Sequence, residues 1–392
     1  MMLKAYLEWC STDEQKKVLE AVIEHDSNKA AAEALGKEEE AVRKMILRIK
    51  TRAARAGFAP EHDLIKTAPE GYQLKGASTL YKTDEETGEK REVMQWVKVD
   101  KKAEEVMDSM KEVFTEFAQG IERAELIPSP KDCDPDLLCD YTIGDSHIGM
   151  YAWAREAGED WDLAKGVDIL RKGVNHLVDA APNAHTAFIL DLGDFFHADN
   201  QSNETSHSKN KLDVDGRWYK VTKAGIQCVC DLIDLALQKH EKVIYRSAIG
   251  NHNEHTAMLI SIALEMRYND EPRLEILDSP AFHNYFQFGI NLLADTHGHT
   301  TKAEILPLLM ATDVPDMWAA TTNRVWRTGH VHHLSQKEFS GVTVITYRTL
   351  TPKDAWHAAA GYRSNRDMRC TIYHKIKGTV GMNIVNPTML GY

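Results

Sequence analysis

A chain of 392 residues, 43% hydrophobic and 27% charged, can bury a large core and carry a small domain beside a big one. Its formal net charge of -12 argues against coating nucleic acid through charge alone, although part of the acidity can be carboxylates reserved for divalent cations. No apolar run approaches the ~18 residues of a membrane span, "MMLKAYLEWC" lacks a secretory pattern, and the six cysteines form no CxxC pair, so reduced thiols in a cytoplasmic protein are expected.

Residues 12 to 58 read as three helices. Thr12 is placed to cap the first, whose Val18, Leu19, Val22 and Ile23 share a face. "SNKAAAEALG" is a short second helix stopped by Gly36. The third runs through "EEEAVRKMILRIKTRAARAG", with Val42, Met45, Ile46 and Ile49 as a core stripe and Arg43, Lys44, Arg48, Lys50, Arg52 and Arg55 as a basic set. Such a helix-turn-helix-like unit suits phosphate contacts with nucleic acid; the alternative is a bundle whose cations only complement the helix dipole.

A hairpin follows, "YQLKGASTLYK" and "REVMQWVKVD" flanking the turn "TDEETGEK", and residues 101 to 122 read as a charged amphipathic helix. "PSPKDCDPD" marks a boundary. The expected division is therefore a helical domain over 1–60, a hairpin with connecting helix over 61–130, and a large α/β domain over 131–392.

In that large domain short apolar strands alternate with helices, and five strands end in polar blocks. "GDSHIG" supplies Asp145 and His147, "LDLGDFFH" Asp194 and His197, "IGNHNE" Asn251 and His252, "DTHGHT" His297, and "TGHVHH" His330 and His332. Strand ends are where ligand sites of open α/β sheets collect. In D-x-H and H-x-H, alternate residues on extended backbone point the same way, so both reach one site. Carboxylate, amide oxygen and imidazole together suit Mn²⁺, Fe²⁺ or Zn²⁺ better than Ca²⁺. One isolated histidine would be an ordinary core or surface residue; five ordered blocks are harder to read that way.

This series resembles the calcineurin-like metallophosphoesterase superfamily, with its D-x-H, G-D-x-x, G-N-H, H and G-H-x-H blocks, over about residues 137 to 348. The resemblance implies a four-layer sandwich of two mixed sheets flanked by helices, an α/β (α+β) fold. It makes Asp145, His147, Asp194 and His332 ligands of one metal, and Asp194, Asn251, His297 and His330 ligands of a second, Asp194 bridging. Mn²⁺ is the first expectation for both ions, with Zn²⁺, Fe²⁺ or Mg²⁺ as alternatives. Two cations about 4 Å apart clamp a phosphate and ready a bridging hydroxide for attack. Asp194, His197 and His252 are the implied catalytic groups, His252 as proton donor to the departing oxygen or as a support for Asn251.

Two blocks depart from the commonest pattern. His197 in "GDFFH" resembles the double-strand-break-repair nucleases of the superfamily and favours DNA as substrate. "GNHNE" has Asn253 where an acid is usual, with Glu254 next to it, which puts the orientation of His252 in question. The segments "PEGYQLKGASTLY", "QWVKVD" and "TLTPKDAWHAAAGY" resemble phage-encoded metallophosphoesterases carrying an amino-terminal helix-turn-helix, which would place the chain in a host cytoplasm.

Around the blocks, "HADNQSNETSHSKNK" reads as a loop over the site. Asp213 to His240 reads as a helix with Trp218, Ile226, Leu232, Ile233 and Leu237 turned to the core. Arg348, Lys353, His357 and Arg363 interleave with Trp356 and Tyr362, a mixture suited to a nucleic-acid strand or to ordinary packing. The leading expectation is a dinuclear metal phosphodiesterase acting as a DNA nuclease, exonuclease or endonuclease, with DNA as partner, room for a homodimer and no membrane. A phosphatase or cyclic-nucleotide phosphodiesterase uses the same centre; a DNA-binding regulator with a vestigial site is the third reading.

Overall fold

The computed structural model describes residues 2–56, 58–60, 72–83, 90–101, 123–205 and 209–392, with the backbone alone for residues 2, 72–83 and 90–101. The expected helix over 101–122 and the hairpin turn over 84–89 lie outside the described residues. The chain divides into two compact units, Met1–Gln119 and Gly120–Tyr392.

In the first unit a 3-10 segment, Met2–Trp9, precedes α1 (Asp13–His25), α2 (Asn28–Leu35) and α3 (Glu39–Arg55). Local chemistry sets these ends. The Thr12 hydroxyl accepts from the Gln15 N–H and the Ser27 hydroxyl from the Ala30 N–H, while Gly36 closes α2 in the left-handed region at φ 63°. Val18, Leu19, Val22, Val42, Ile46 and Ile49 bury their stripes against Tyr6 in one small core. Strands β1 (Tyr72–Thr83) and β2 (Lys90–Lys101) pair antiparallel, as the sequence pattern predicts.

The second unit holds two mixed sheets. One has six strands in the order β13-β12-β3-β4-β5-β6: β3 (Asp134–Ile143), β4 (Ala184–Asp191), β5 (Lys242–Ser247) and β6 (Leu274–Ile276) run parallel, with β12 (Met368–His374) antiparallel to both β3 and β13 (Gly378–Val385). The other has five in the order β10-β11-β9-β8-β7: β8 (Asn291–Asp295), β9 (Asn323–Thr328) and β11 (Val342–Thr346) are parallel, and β7 (Asn284–Phe288) and β10 (Ser335–Phe339) antiparallel at the edges.

Side-chain alternation stacks these sheets. Leu293 and Val325 join Phe188, Leu190 and Ile244 in a core between the sheets, whereas their neighbours Leu292, Ala294 and Trp326 face the other way, onto Leu306 and Met310. Those last two belong to α8 (Leu306–Asp313), followed by α9 (Pro315–Ala320). Helices α5 (Leu163–Ala180), α6 (Trp218–Lys239) and α7 (Thr256–Arg267) pack on the outer face of the six-stranded sheet, giving four layers. Two short helices, α4 (Ala154–Ala157) and α10 (Ala355–Ala359), pack on each other. Among the described residues no helix is long and apolar enough to cross a membrane.

Between the sheets sits a buried ionic network. Arg327 Nη1 donates to Asp140 Oδ2 at 2.8 Å, Arg327 Nη2 lies 3.6 Å from Asp295 Oδ2, and Arg246 Nε donates to Asp295 Oδ1 at 2.8 Å. All four residues are at most 4% exposed. Two guanidinium and two carboxylate groups neutralise one another in a place where an unpaired charge would be costly. They sit on β3, β5, β8 and β9, so the network ties together four strands that end in the candidate site.

Candidate metal centre

The strand ends converge. Past β3 the Asp145 carboxylate is fully buried, and both its oxygens accept from the His330 N–H, at 3.0 and 3.1 Å. Thr349 and Thr351 pin the same turn by donating their hydroxyls to the carbonyls of Asp145 and Ser146, at 2.8 and 2.7 Å. Past β4, Asp194 shares backbone with the first block: its carbonyl accepts from the His147 N–H at 2.9 Å. Its Oδ1 accepts from the His252 N–H at 2.7 Å.

Two ligand-like groups result. Ligand atoms of Asp145, His147 and His332 lie within 4.8 Å of one another, as do those of Asp194, His297 and His330. Asn251 joins the second group, its Oδ1 being 3.1 Å from His297 Nε2. The Asp194 carboxylate belongs to the second group, and its charge also acts on His147 and His332 of the first. A further group, His147, His197 and His252, shares His147 with the first.

The electron pairs at the centre face one another. His297 Nδ1–H donates to the Leu192 carbonyl at 2.9 Å, which directs Nε2 at Asp194 Oδ2 and Asn251 Oδ1, each 3.1 Å away. His147 and His332 meet Nε2 to Nε2 at 3.2 Å, and His147 and His197 meet Nδ1 to Nδ1 at 3.3 Å. His197 Nε2 is buried with no hydrogen-bond partner. Converging acceptors in a buried space call for a cation, and imidazole with carboxylate and amide oxygen is a donor set for divalent transition metals. The residues present therefore fit such ions.

Electrostatics follow from this crowding. Burial, with the imidazoles of His252, His332 and His197, pushes His147 well below the usual histidine range. Burial and His252 push His197 down to about 3. Burial also pulls on His297, but the Asp194 carboxylate outweighs it and raises that ring to about 9. Asp194 in turn is held well below the carboxylate range, because His297 and His252 overcome the burial that would raise it.

The backbone is strained at the same points. Among the described residues eight non-glycine positions have positive φ, and four of them are His147 (44°), Asp194 (53°), His330 (71°) and His332 (53°). Left-handed histidine and aspartate cost energy that surrounding structure must hold in place, and such strain gathers at functional sites. Close approach adds a glycine requirement at Gly193, φ 93°, where a Cβ would come within 2.9 Å of His297 Nδ1.

The remaining expectations distribute as follows. Asn253 is buried and its Oδ1 accepts from the N–H groups of both Asp194 and Gly250, at 3.0 and 2.7 Å, while Glu254 is exposed. The amide thus braces the turn as an acid would. His252 is oriented independently, its Nδ1–H donating to the His197 carbonyl at 2.7 Å. In the segment 197–211, His197, Ala198 and Asp199 are buried, Asp199 accepting from the N–H and hydroxyl of Thr256 at the start of α7. Ile226, Leu232, Ile233 and Leu237 are buried in α6, and Trp218 is half-buried. Arg348 is paired with Asp367.

Of the basic set on α3, Arg43 and Lys44 pair with Glu40 at 3.4 and 3.7 Å, Arg52 donates to the Trp9 carbonyl and to Gln15, and Lys50 lies 5.5 Å over the Tyr6 ring. Arg48 and Arg55 are exposed.

Two neighbours of the centre were not singled out from the sequence as site residues. His299, 5.2 Å from the His297 ring, has a buried Nδ1 without a hydrogen-bond partner; the H-x-H spacing with His297 was the available signal. Asp354 accepts from both the backbone N–H and the Nδ1 of His357, whose ring stacks on His332 at 4.7 Å; the D-x-x-H pattern of a helix cap was the signal there.

No family model and no curated protein matches the chain. Solved structures similar to it include an archaeal phosphodiesterase (13% identity, 64% of this chain and 99% of that one, TM-score 0.32). A Streptococcus pneumoniae protein described as a predicted phosphoesterase is similar at 10% identity over 65% and 99% of the two chains, TM-score 0.26. So is Entamoeba histolytica Vps29 complexed with zinc, at 12% identity over 63% and 98%, TM-score 0.26.

Proposed function

We propose that the chain is a two-metal phosphodiesterase whose substrate is DNA. The observation that carries this reading is the meeting of the Asp194 carboxylate, the Asn251 amide oxygen and His297 Nε2, next to the Asp145, His147 and His332 group. Divalent cations bound there, Mn²⁺ first among them, would polarise a phosphodiester and acidify a water enough for attack on phosphorus near neutral pH.

The chain's own residues do the rest. Asp145 is locked by the His330 N–H, so its oxygens cannot swing away. His252, with Nδ1–H engaged by the His197 carbonyl, is left with Nε2 as the nitrogen that hands a proton to the departing oxygen. The stacking of His197 against His252, centroids 5.5 Å apart, holds that ring in place. The amino-terminal helical unit, through Arg48 and Arg55, contributes phosphate contacts to the same polymer.

Purified protein is assayed with Mn²⁺ on single- and double-stranded DNA and on chromogenic phosphate mono- and diesters, beside Asp194→Asn. Cleavage of DNA and of the diester by the wild type alone is expected. A monoester preference would replace the reading with a phosphatase, and equal activity in the variant would remove it.

A further inference from the structure

Exposed aromatic rings are distributed unevenly over the molecule. Among the described residues the exposed ones are Tyr151, Trp153, Tyr219, Phe282 and Trp356. Tyr151, Trp153, Phe282 and Trp356 lie on segments that adjoin residues of the candidate centre. Tyr151 and Trp153 follow His147 directly. Tyr219 opens α6, just after a stretch bonded to that same segment, the Tyr151 N–H donating to the Asp213 carbonyl at 3.0 Å. Phe282 packs 5.8 Å from His299.

Trp356 is 59% exposed and connects to the centre through two rings: it lies 5.0 Å from His357, which stacks on His332 at 4.7 Å and 21°. Trp153 caps α4, which packs on α10, the helix that carries Trp356. Cations accompany them, the Arg155 guanidinium lying 5.2 Å over Trp153 and Lys353 Nζ reaching the end of α4 at Gly158. Trp356 also lies 6.0 Å from Tyr362, yet both indoles keep a large face exposed.

We infer that Trp356 and Trp153 form a stacking platform for unpaired nucleobases flanking the phosphate at the metal centre, and that the substrate is single-stranded nucleic acid. The inference rests on the phosphodiesterase reading and narrows it. Rings beside cations hold single strands through π-faces that every base offers and a paired duplex hides. A small phosphate ester has no base to place there.

The test uses the full chain and the variants Trp356→Ala, Trp153→Ala and their combination. A short oligothymidylate should quench tryptophan fluorescence of the wild type in Ca²⁺ buffer, and the double variant should lose that quenching. With Mn²⁺, KM for the oligonucleotide should rise roughly tenfold per indole removed, while KM for bis(p-nitrophenyl) phosphate, which carries a single phosphate and no flanking bases, should change far less. Equal losses on both substrates would overturn the platform, as would an unaffected oligonucleotide KM. A change in sedimentation with intact oligonucleotide binding would reassign the surface to a contact between copies of the chain, also overturning it. If the wild type hydrolyses the chromogenic diester but neither binds nor cleaves the oligonucleotide, the inference fails and the metal-centre reading stands; if no diester is hydrolysed, that reading itself fails.

Discussion

The amino-terminal helical unit and the metal centre treat their polar groups in opposite ways. On α3 the cations are largely satisfied within the unit, by Glu40, Gln15, the Trp9 carbonyl and the Tyr6 ring. In the centre, ring nitrogens of His297, His147 and His332 and oxygens of Asp194 and Asn251 crowd one another, with left-handed backbone at Asp194, His147 and His332. A folded chain keeps such an arrangement only where something positive is to enter. The contrast teaches that chemical function is better read from unsatisfied buried groups than from exposed charge, which is easily matched locally.

The largest effect that would break this contrast comes from Asp194. Replacing it with Asn keeps the shape and removes the charge facing His297. Turnover of a diester should fall roughly 10⁴-fold, the several kcal/mol that charge stabilisation at a two-metal site supplies, and bound Mn²⁺ measured by elemental analysis should fall with it. Retention of both metals and of most of the rate would mean that the carboxylate is structural.

Next is the network beneath the centre. Arg327→Met leaves the Asp140 carboxylate buried without a guanidinium and Asp295 with Arg246 alone, a loss of about 3–5 kcal/mol in urea unfolding. The helical unit's core shares no residue with this network, so its own unfolding should be unmoved; a loss of less than about 1 kcal/mol would show that water or repacking satisfies both acids.

How much of this was legible in sequence depended on range. Thr12, Ser27 and Gly36 act on residues three or four positions away, so the helix ends of the first unit could be read directly. The polar blocks that gather at the candidate centre were legible because each is a short pattern at a strand end. What could not be read was set by distant partners: Arg327 meets Asp140 across 187 positions, and His147 meets His332 across 185. Asn253 shows the limit from the other side. Its departure from the usual acid placed the orientation of His252 in question, yet the two N–H groups it receives require only an oxygen, and the His197 carbonyl orients His252.

A third, smaller effect is acid sensitivity. His240 is buried, accepts from the Tyr141 hydroxyl at 2.8 Å and donates Nδ1–H to the Ala184 carbonyl at 2.7 Å, and burial lowers it from 6.5 to about 4. Because its folded value lies below the unfolded one, its contribution is present in full above pH 6.5 and is lost as pH falls toward 4. Over that window unfolding free energy should drop by about 3 kcal/mol. His240→Gln should flatten that slope; an identical slope in the variant would assign the acid sensitivity to other groups.

The smallest effect sharpens the comparison on the side of the helical unit. Arg48 and Arg55 are the exposed members of the basic set not engaged by Glu40, Gln15 or Tyr6 in the manner of the others. If they meet phosphate, replacing either with Ala should weaken binding to single-stranded DNA by roughly tenfold or less and lower the slope of log K against log salt by about 0.7. The chromogenic diester, which offers a single phosphate, should be hydrolysed as before. Arg52→Ala is the discriminating control: it unties the Trp9 carbonyl and Gln15, so its cost should fall on the stability of the helical unit, with the salt slope unchanged. Equal salt slopes in all three variants would mean that none of these cations touches DNA, and that substrate contacts belong to the metal-bearing unit alone.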